Sequence, residues 1–238
     1  MISSIGEVKL KRIESSRLRG VKGMRLVAIT DLHGNVKMSR KLAGLIAGER
    51  PDILLIAGDI THFSGAETAR KVLQPLLETG VPILAVHGNC DGRDVPELLD
   101  ELGIWIHDRR RELNGVGFVG VGGSNITPFN TIWELSEGEI REILLRNYHP
   151  GDVILSHVPP KDTKADRVHS GLHVGSSALR EFIEEKQPPL VITGHIHEAR
   201  SIDRVGETVI VNPGPLFRGY YAEIILDGKD VRAELKSL

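Results

Sequence analysis

The chain has 238 residues, of which 40% are hydrophobic and 26% are charged. This length suits one large domain or two small ones, and the composition is that of an ordinary globular protein with enough apolar material for a core. The formal net charge is -2, which argues against a nucleic-acid coat or a membrane surface as a partner.

The chain has a single cysteine, Cys90. One cysteine cannot form an internal disulfide, and this usage is typical of a reducing compartment. The amino terminus has no basic stretch followed by a long apolar run, so no signal peptide is predicted. No apolar segment approaches the ~18 residues that a membrane span needs. We therefore expect a cytoplasmic protein.

Residues 1–22 are predicted to form a basic N-terminal arm. Gly6–Ile13 alternates apolar and charged residues, which is typical of an edge strand with one wet face. The cations of the arm are Lys9, Lys11, Arg12, Arg17, Arg19 and Lys22. A solvated face explains such a run better than an anion-binding patch does.

Apolar strands alternate with amphipathic helices in the first half of the chain. Strands are predicted at residues 24–30, 53–57 and 82–86. Helices are predicted at residues 38–48, from a cap at Ser64 through Leu77, and at residues 96–102. This alternation predicts a parallel sheet with crossover connections.

The second half of the chain predicts a second sheet. Asn114-Gly115 is a hairpin signal between strands at 104–113 and 116–121, and Ser136 with Glu139 predicts a capping box that opens a helix. Further strands are predicted at 152–156 and 190–193, with a helix starting at Ser176 or Ser177 between them, and residues 199–235 read as an antiparallel tail. We expect a single domain over residues 1–238, with two packed sheets and helices outside.

Five of the predicted buried strands end in side chains that could bind a metal ion. These side chains are Asp31, His33, Asp59, Asn89, His157, His195 and His197. Because chemistry in open α/β sheets sits at the carboxyl ends of strands, we expect them to meet at one edge. A capping or loop role could explain any one of them, but five such strand ends are hard to explain by packing.

The number and type of these donors predict the cofactor. Seven side chains exceed the needs of one tetrahedral zinc and suit two ions that share a carboxylate. Oxygen and imidazole donors without thiolates favour Mn, Fe, Zn, Co or Ni over Mg or Ca. Two ions ~3.5–4 Å apart can clamp a phosphoryl group and lower the pKa of a bridging water toward ~7. The predicted cofactors are therefore two divalent transition-metal ions.

The ordered set of motifs resembles the calcineurin-like metallophosphoesterase family, in its smaller prokaryotic phosphodiesterase-type branch. The family pattern is Asp-x-His, Gly-Asp, Gly-Asn-His-Asp/Glu, His and Gly-His-x-His. This chain has Asp31-Leu-His33, Gly58-Asp59, Gly88-Asn89-Cys90-Asp91, His157 and Gly194-His195-Ile-His197. The resemblance covers about residues 24–215 and implies an α/β fold: a four-layer α-β-β-α sandwich with two mixed sheets.

The resemblance also implies a division of the ligands between two ions. The first ion would be held by Asp31, His33, Asp59 and His197. Asp59 would bridge to the second ion, whose other ligands would be Asn89, His157 and His195. The implied activity is hydrolysis of phosphate esters by a metal-bridging hydroxide, with phosphodiesters favoured.

Cys90 departs from the family pattern. It stands where many members have a histidine that donates a proton to the leaving group or contacts the phosphate. A thiol is a poorer general acid than imidazolium near neutral pH, so a small buried residue is a better interpretation of Cys90 than a catalytic one. Asp91 would either orient Asn89 or cap the following helix.

The loop after His157 contains a second candidate proton donor. His173 could bind substrate or replace the missing donor, although a surface loop histidine is the simpler interpretation. The helix start at Gly175-Ser176 could receive a phosphate. His62 and His87 neighbour the site in sequence, and we predict no role for them.

Two other functions remain open from the sequence. One is a protein-interaction scaffold on the same fold, which the seven intact donor positions disfavour. The other is a nuclease, which the net charge of -2, the short chain without a capping domain and Cys90 disfavour. We expect a small phosphate-ester substrate and no membrane partner. The substrate, the native metals and whether the protein is a homo-oligomer are not determined by the sequence.

Overall fold

The computed structural model describes residues 23–238, so the predicted basic arm and its edge strand lie outside the described residues. Within residues 23–238 the α-helices are α1 (Val36–Glu49), α2 (Ala66–Leu77), α3 (Val95–Glu101), α4 (Glu137–Asn147) and α5 (Ser177–Lys186). None of these helices has the length and apolar character required to cross a membrane.

The described residues also form strands and two short 3-10 helices. The strands are β1 (Met24–Ile29), β2 (Ile53–Ala57), β3 (Ile83–Val86), β4 (Arg110–Leu113), β5 (Val116–Val121), β6 (Ser124–Asn125), β7 (Glu134–Leu135), β8 (Val153–Ser156), β9 (Leu190–Ile192), β10 (Ser201–Val205), β11 (Thr208–Asn212), β12 (Tyr220–Asp227) and β13 (Asp230–Ser237). The 3-10 helices are Lys164–Asp166 and Leu216–Arg218.

The first sheet has the strand order β13-β12-β1-β2-β3. The three strands β1, β2 and β3 are parallel, as the alternation of strands and helices predicts, and β12 adds to β1 in the antiparallel direction. β2 and β3 are buried along their whole length. Continuous apolar runs are expected here because helices and a second sheet cover both faces.

The second sheet has the strand order β10-β11-β9-β8-β5-β4. Its hairpin β4–β5 turns at Asn114-Gly115, where both residues have positive φ as this turn requires. The predicted all-antiparallel tail is wrong in part. β11 pairs with β9 in parallel, while β12 and β13 cross to the first sheet.

Two local predictions need correction. Ser64 does not cap α2, because Gly65 is the capping residue and makes no side-chain hydrogen bond, while Ser64 Oγ donates to the His62 carbonyl. The strand expected over residues 104–113 is confined to Arg110–Leu113. The capping box of Ser136 and Glu139 at α4 and the cap at Ser176 of α5 are confirmed.

The core lies in three apolar layers between four layers of secondary structure. The central layer joins the inner faces of the two sheets and includes Leu55 of β2, Phe118 of β5 and Leu155 of β8. A second layer packs α1, α2 and α3 on the first sheet, and a third packs α4 and α5 on the second sheet. This arrangement is the expected α-β-β-α sandwich with two mixed sheets.

Residues of the central layer should contribute strongly to the free energy of unfolding. Leu55→Ala removes a side chain that is 0% exposed, and we expect it to lower the free energy of unfolding by about 2–5 kcal/mol because it leaves a cavity between the sheets. Chemical denaturation measures this. The matched control is Leu145→Ala on α4, whose side chain is 51% exposed. An equal loss in both variants would contradict the central position of this layer.

Candidate metal centre

The loops that follow β1, β2, β3, β8 and β9 bring all seven predicted ligands to one edge of the sandwich. The loop after β1 is fastened to the loop after β2 by backbone hydrogen bonds. The N–H groups of Leu32 and His33 both donate to the Asp59 carbonyl at 2.8 and 2.9 Å, and the Asp31 N–H donates to the Gly58 carbonyl at 3.0 Å. The second sheet is fastened similarly, because the Gly194 N–H donates to the His157 carbonyl at 3.1 Å.

Four of the seven residues have backbone conformations that non-glycine residues rarely adopt. Their φ angles are 51° for Asp31, 45° for His33, 49° for Asp59 and 67° for His195. Positive φ costs free energy in such residues and persists where the surrounding structure enforces it, which is typical of functional sites. The hydrogen bonds between the loops after β1 and β2 enforce it at Asp31, His33 and Asp59.

Three side chains form a first group of possible ligands. Asp31, His33 and His197 each offer a ligand atom, and these atoms all lie within 4.8 Å of one another. Nε2 of His33 lies 3.0 Å from Nε2 of His197, and Nε2 of His197 lies 3.3 Å from Oδ1 of Asp31. Two imidazoles and a carboxylate therefore converge on one point.

A second group lies beside the first and contains Asp31, Asp59 and His157. Nε2 of His157 lies 3.5 Å from Oδ1 of Asp59 and 2.9 Å from Oδ1 of Asn89. Nδ1 of His157 lies 2.7 Å from the Ala57 carbonyl, which can only accept a hydrogen bond. Nδ1 is therefore the protonated nitrogen, and Nε2 of the neutral ring has a free lone pair directed at the site.

His195 completes the set beside His157, with their ring centroids 5.2 Å apart. Burial is the main cause that lowers the pKa of His195 to about 3. Burial also lowers the pKa of His33 to about 4. Both imidazoles are thus held neutral near pH 7, which is the form that binds metal ions.

The two carboxylates differ in their electrostatic setting. Burial raises the pKa of Asp31, but the nearby imidazoles outweigh it, chiefly His197 with its Nε2 3.3 Å from Oδ1, so the net pKa lies below its usual value. Burial raises the pKa of Asp59 above its usual value, and the adjacent Asp31 raises it further. Two carboxylates this close favour a cation between them, because each destabilises the charge of the other.

The donor atoms fit a metal ion better than they fit one another. Oδ1 of Asp31 is buried and has no hydrogen-bond partner among residues 23–238. Asn89 Oδ1 and the unprotonated Nε2 of His157 are two acceptors only 2.9 Å apart. A buried acceptor without a partner costs free energy, and a cation would satisfy these atoms.

Glycines at the strand ends allow this close approach. A Cβ on Gly88 would overlap Oδ1 and the backbone nitrogen of Asp59. Gly58 has a φ of +90°, and a Cβ there would lie 2.6 Å from Nδ1 of His157 and 2.8 Å from the Gly88 backbone. The Gly-Asp and Gly-Asn pairs of the motifs therefore have a steric reason.

Asp91 supports the site from behind. Its carboxylate accepts hydrogen bonds from the backbone N–H groups of Gly88 (2.8 Å), Ile60 (3.2 Å) and Thr61 (2.7 Å). It therefore fixes the loops that carry Asp59 and Asn89, and it does not cap the following helix, whose capping residue is Asp94. Burial raises the pKa of Asp91 to about 7.

Cys90 lies at the edge of the site and is poorly suited to donate a proton. Its backbone N–H donates to Oδ1 of Asp59 at 2.9 Å. Burial, followed by the charge of Asp59, raises the pKa of the Cys90 thiol above its ordinary value. Its side chain is only partly buried, and the interpretation of Cys90 as a small buried residue stays a prediction.

Sequence reasoning missed several residues that support the ligands. Nδ1 of His62 lies 3.2 Å from Nδ1 of His33, and the Phe217 ring packs against the rings of His33 and His197 with centroids 5.4 and 5.2 Å apart. Thr30 Oγ1 lies 3.0 Å from Oδ2 of Asp31. Only Thr30 and His62 carried a sequence signal, namely their position next to a motif.

The loop after His157 differs from expectation at the start of α5. The side chain of Glu137 accepts hydrogen bonds from Ser176 Oγ and from the Ala178 N–H at 2.6 and 2.8 Å. The helix start at Gly175-Ser176 is therefore already occupied by a carboxylate and does not offer the predicted phosphate site. His173 is half-exposed, and its Nδ1 lies 2.6 Å from Oδ1 of Asp166.

Comparison with known proteins identifies the family. The model of the calcineurin-like phosphoesterase family matches residues 24–199. The uncharacterized protein MJ1162 of Methanocaldococcus jannaschii is 39% identical over 202 residues, which cover 82% of this chain and 90% of that protein. The chain therefore belongs to the calcineurin-like phosphoesterase family.

Two further proteins are similar at lower identity. A probable cyclic nucleotide phosphodiesterase of Synechococcus is 26% identical over 199 residues, covering 74% of each chain. The crystal structure of a dimetal phosphatase from Danio rerio superposes with a TM-score of 0.62 at 13% identity, covering 90% of this chain and 98% of that one. The second similarity shows the fold.

The close approach at Gly88 can be tested without any metal. We expect Gly88→Ala to lower the free energy of unfolding by about 1–3 kcal/mol, because the added methyl group has no space beside Asp59. Denaturation in the presence of a chelator measures this. The control is Gly44→Ala within α1, where a Cβ meets nothing within 4 Å and where we expect a gain of up to roughly 1 kcal/mol. A neutral Gly88→Ala would show that the strand ends are farther apart than described.

Proposed function

We propose that the protein is a dinuclear metal-dependent phosphoesterase that hydrolyses phosphate esters, with phosphodiesters as the favoured substrates. The family supports phosphoester hydrolysis, and the Synechococcus relative, a probable cyclic nucleotide phosphodiesterase, favours diesters. The observation that carries the proposal is the position of Asp59. Its Oδ2 lies 3.7 Å from Nε2 of His33, and its Oδ1 lies 3.5 Å from Nε2 of His157.

Asp59 therefore faces both groups of donors with different oxygens, as a carboxylate shared by two ions would. One ion would be held by Asp31, His33, Asp59 and His197, and the other by Asp59, Asn89, His157 and His195. When bound, two such ions supply positive charge to the phosphoryl oxygens and lower the pKa of a water toward neutrality. The donor set suits Mn, Fe, Zn, Ni or Co.

The protein's own residues contribute orientation and preorganisation. The Ala57 carbonyl fixes the tautomer of His157, so that the lone pair of the neutral ring lies on Nε2. The carboxylate of Asp91 and the backbone bonds between loops hold the ligands in place before any substrate arrives. Preorganised dipoles and charges need not reorganise during the reaction, which lowers the barrier.

Replacing the shared carboxylate tests the proposal. We expect Asp59→Ala to abolish phosphoesterase activity and to lower the bound metal per chain, because each of the two proposed ions loses a ligand. Metal analysis and assays of diester and monoester nitrophenyl phosphates with Mn, Ni, Co and Zn measure this. The control is Asp230→Ala, which removes a 61% exposed aspartate in a surface ion pair and should leave both readouts unchanged.

Two outcomes would contradict the proposal. Full activity in Asp59→Ala would exclude the shared site. Wild-type protein that carries a full metal load and turns over no phosphate ester would favour the protein-interaction scaffold instead.

A further inference from the structure

A cleft of about 640 Å³ opens beside the candidate metal centre. Its walls include His195 and Ile196 from the loop after β9, and His173 from the loop after β8. Ile126 and Phe129, which also line the cleft, are 71% and 80% exposed. Large apolar side chains so exposed next to a polar site are typical of a surface that binds a ligand.

His173 is held in this cleft by a buried carboxylate. Asp166 is 0% exposed, and its Oδ1 lies 2.6 Å from Nδ1 of His173. The backbone N–H groups of Asp162, Thr163 and Gly175 donate to the same carboxylate at 3.1, 2.9 and 3.0 Å. These bonds fix the orientation of the Asp166 carboxylate, which in turn orients the His173 ring through Nδ1.

The pairing also determines which nitrogen of His173 can act on a ligand. Because a carboxylate accepts the hydrogen bond, Nδ1 is protonated and Nε2 is the nitrogen left for another partner. Nε2 has no hydrogen-bond partner among residues 23–238, and the side chain is 33% exposed. A histidine positioned by a buried aspartate with its other nitrogen free is the usual arrangement for a general acid or base.

The other titratable groups in the cleft are less suited to this task. Glu137 already accepts hydrogen bonds from Ser176 and Ala178 at the start of α5. Lys161 forms no ion pair within the described part of the chain, and an ammonium group is a weak acid near neutral pH. Lys161 instead suits attraction of a phosphate ester, because no carboxylate among residues 23–238 pairs with its charge.

We propose that this cleft receives the leaving group of the phosphate ester, an aromatic or other bulky apolar alcohol. His173, which Asp166 positions, protonates the oxygen of that leaving group. This inference rests on the proposed phosphoesterase function. It places the phosphoryl group near His195 and the organic part of the substrate against Ile126 and Phe129.

The step balances without a further reactant. A bond forms between a water oxygen and phosphorus, and the bond between phosphorus and the ester oxygen breaks with its electron pair on that oxygen. The imidazolium form of His173 gives its Nε2 proton to the departing oxygen and becomes neutral. It recovers a proton from solvent, while the attacking water releases one.

Leaving-group dependence separates this role from a structural one. A nitrophenolate leaves without a proton, whereas a benzyl alkoxide needs one. With dibenzyl phosphate we expect His173→Gln to lower kcat by about 10²–10⁴-fold, the usual contribution of a general acid. With bis(p-nitrophenyl) phosphate the kcat of His173→Gln should stay close to that of the wild-type protein. The bound metal should not change. The control is His169→Gln, an exposed histidine of the same loop.

Two further variants test positioning and binding. Asp166→Asn should produce the same leaving-group pattern, and the double variant should lose no more than His173→Gln alone, because Asp166 acts through His173. Phe129→Ala should raise KM for dibenzyl phosphate without lowering kcat, whereas Leu145→Ala should not. An unchanged KM in Phe129→Ala would show that the organic group binds elsewhere and overturn the proposal.

The remaining outcomes are distinguishable. Equal losses of His173→Gln on both diesters, or no loss on either, would overturn this inference and leave the phosphoesterase function standing. Wild-type protein active on the nitrophenyl ester alone would also overturn it, because no donor would be acting. Wild-type protein with a full metal load and no activity on either ester would overturn the proposed function itself.

Discussion

The geometry of the candidate metal centre depends on one hydrogen bond between the two sheets. Nδ1 of His157 donates it to the Ala57 carbonyl at 2.7 Å. It joins the carboxyl ends of β2 and β8, and it fixes the ring so that Nε2 faces Asp59 and Asn89. Two sheets packed only through an apolar layer could slide relative to each other. A directional hydrogen bond at their edge fixes the relative position of the two sheets where the ligands meet.

Backbone strain is concentrated at the same edge, and nearby hydrogen bonds offset part of it. Asp31, His33, Asp59 and His195 all have positive φ, and each such residue costs free energy. The backbone bonds from Leu32 and His33 to the Asp59 carbonyl compensate part of that cost. The site is therefore a set of turns that stabilise one another, and the apolar layers beneath supply most of the folding free energy.

Much of the fold was predictable because its signals are local. The continuous apolar runs of β2 and β3, the hairpin at Asn114-Gly115 and the capping box at Ser136 each depend on neighbouring residues. The prediction failed where distant pairing decides. β11 pairs with β9 in parallel, and β12 pairs with β1 of the first sheet. The local sequences of β11 and β12 do not indicate these partners.

The sequence by itself determined which donors end the buried strands, since an apolar run that stops at Asp59 or His157 is visible in one dimension. Only the tertiary structure decided how they are supported: that Asp91 fastens two loops, that Glu137 occupies the start of α5, and that Asp166 holds His173. The physical reason is that these contacts join residues far apart along the chain or across irregular loops. No periodicity or spacing records such contacts.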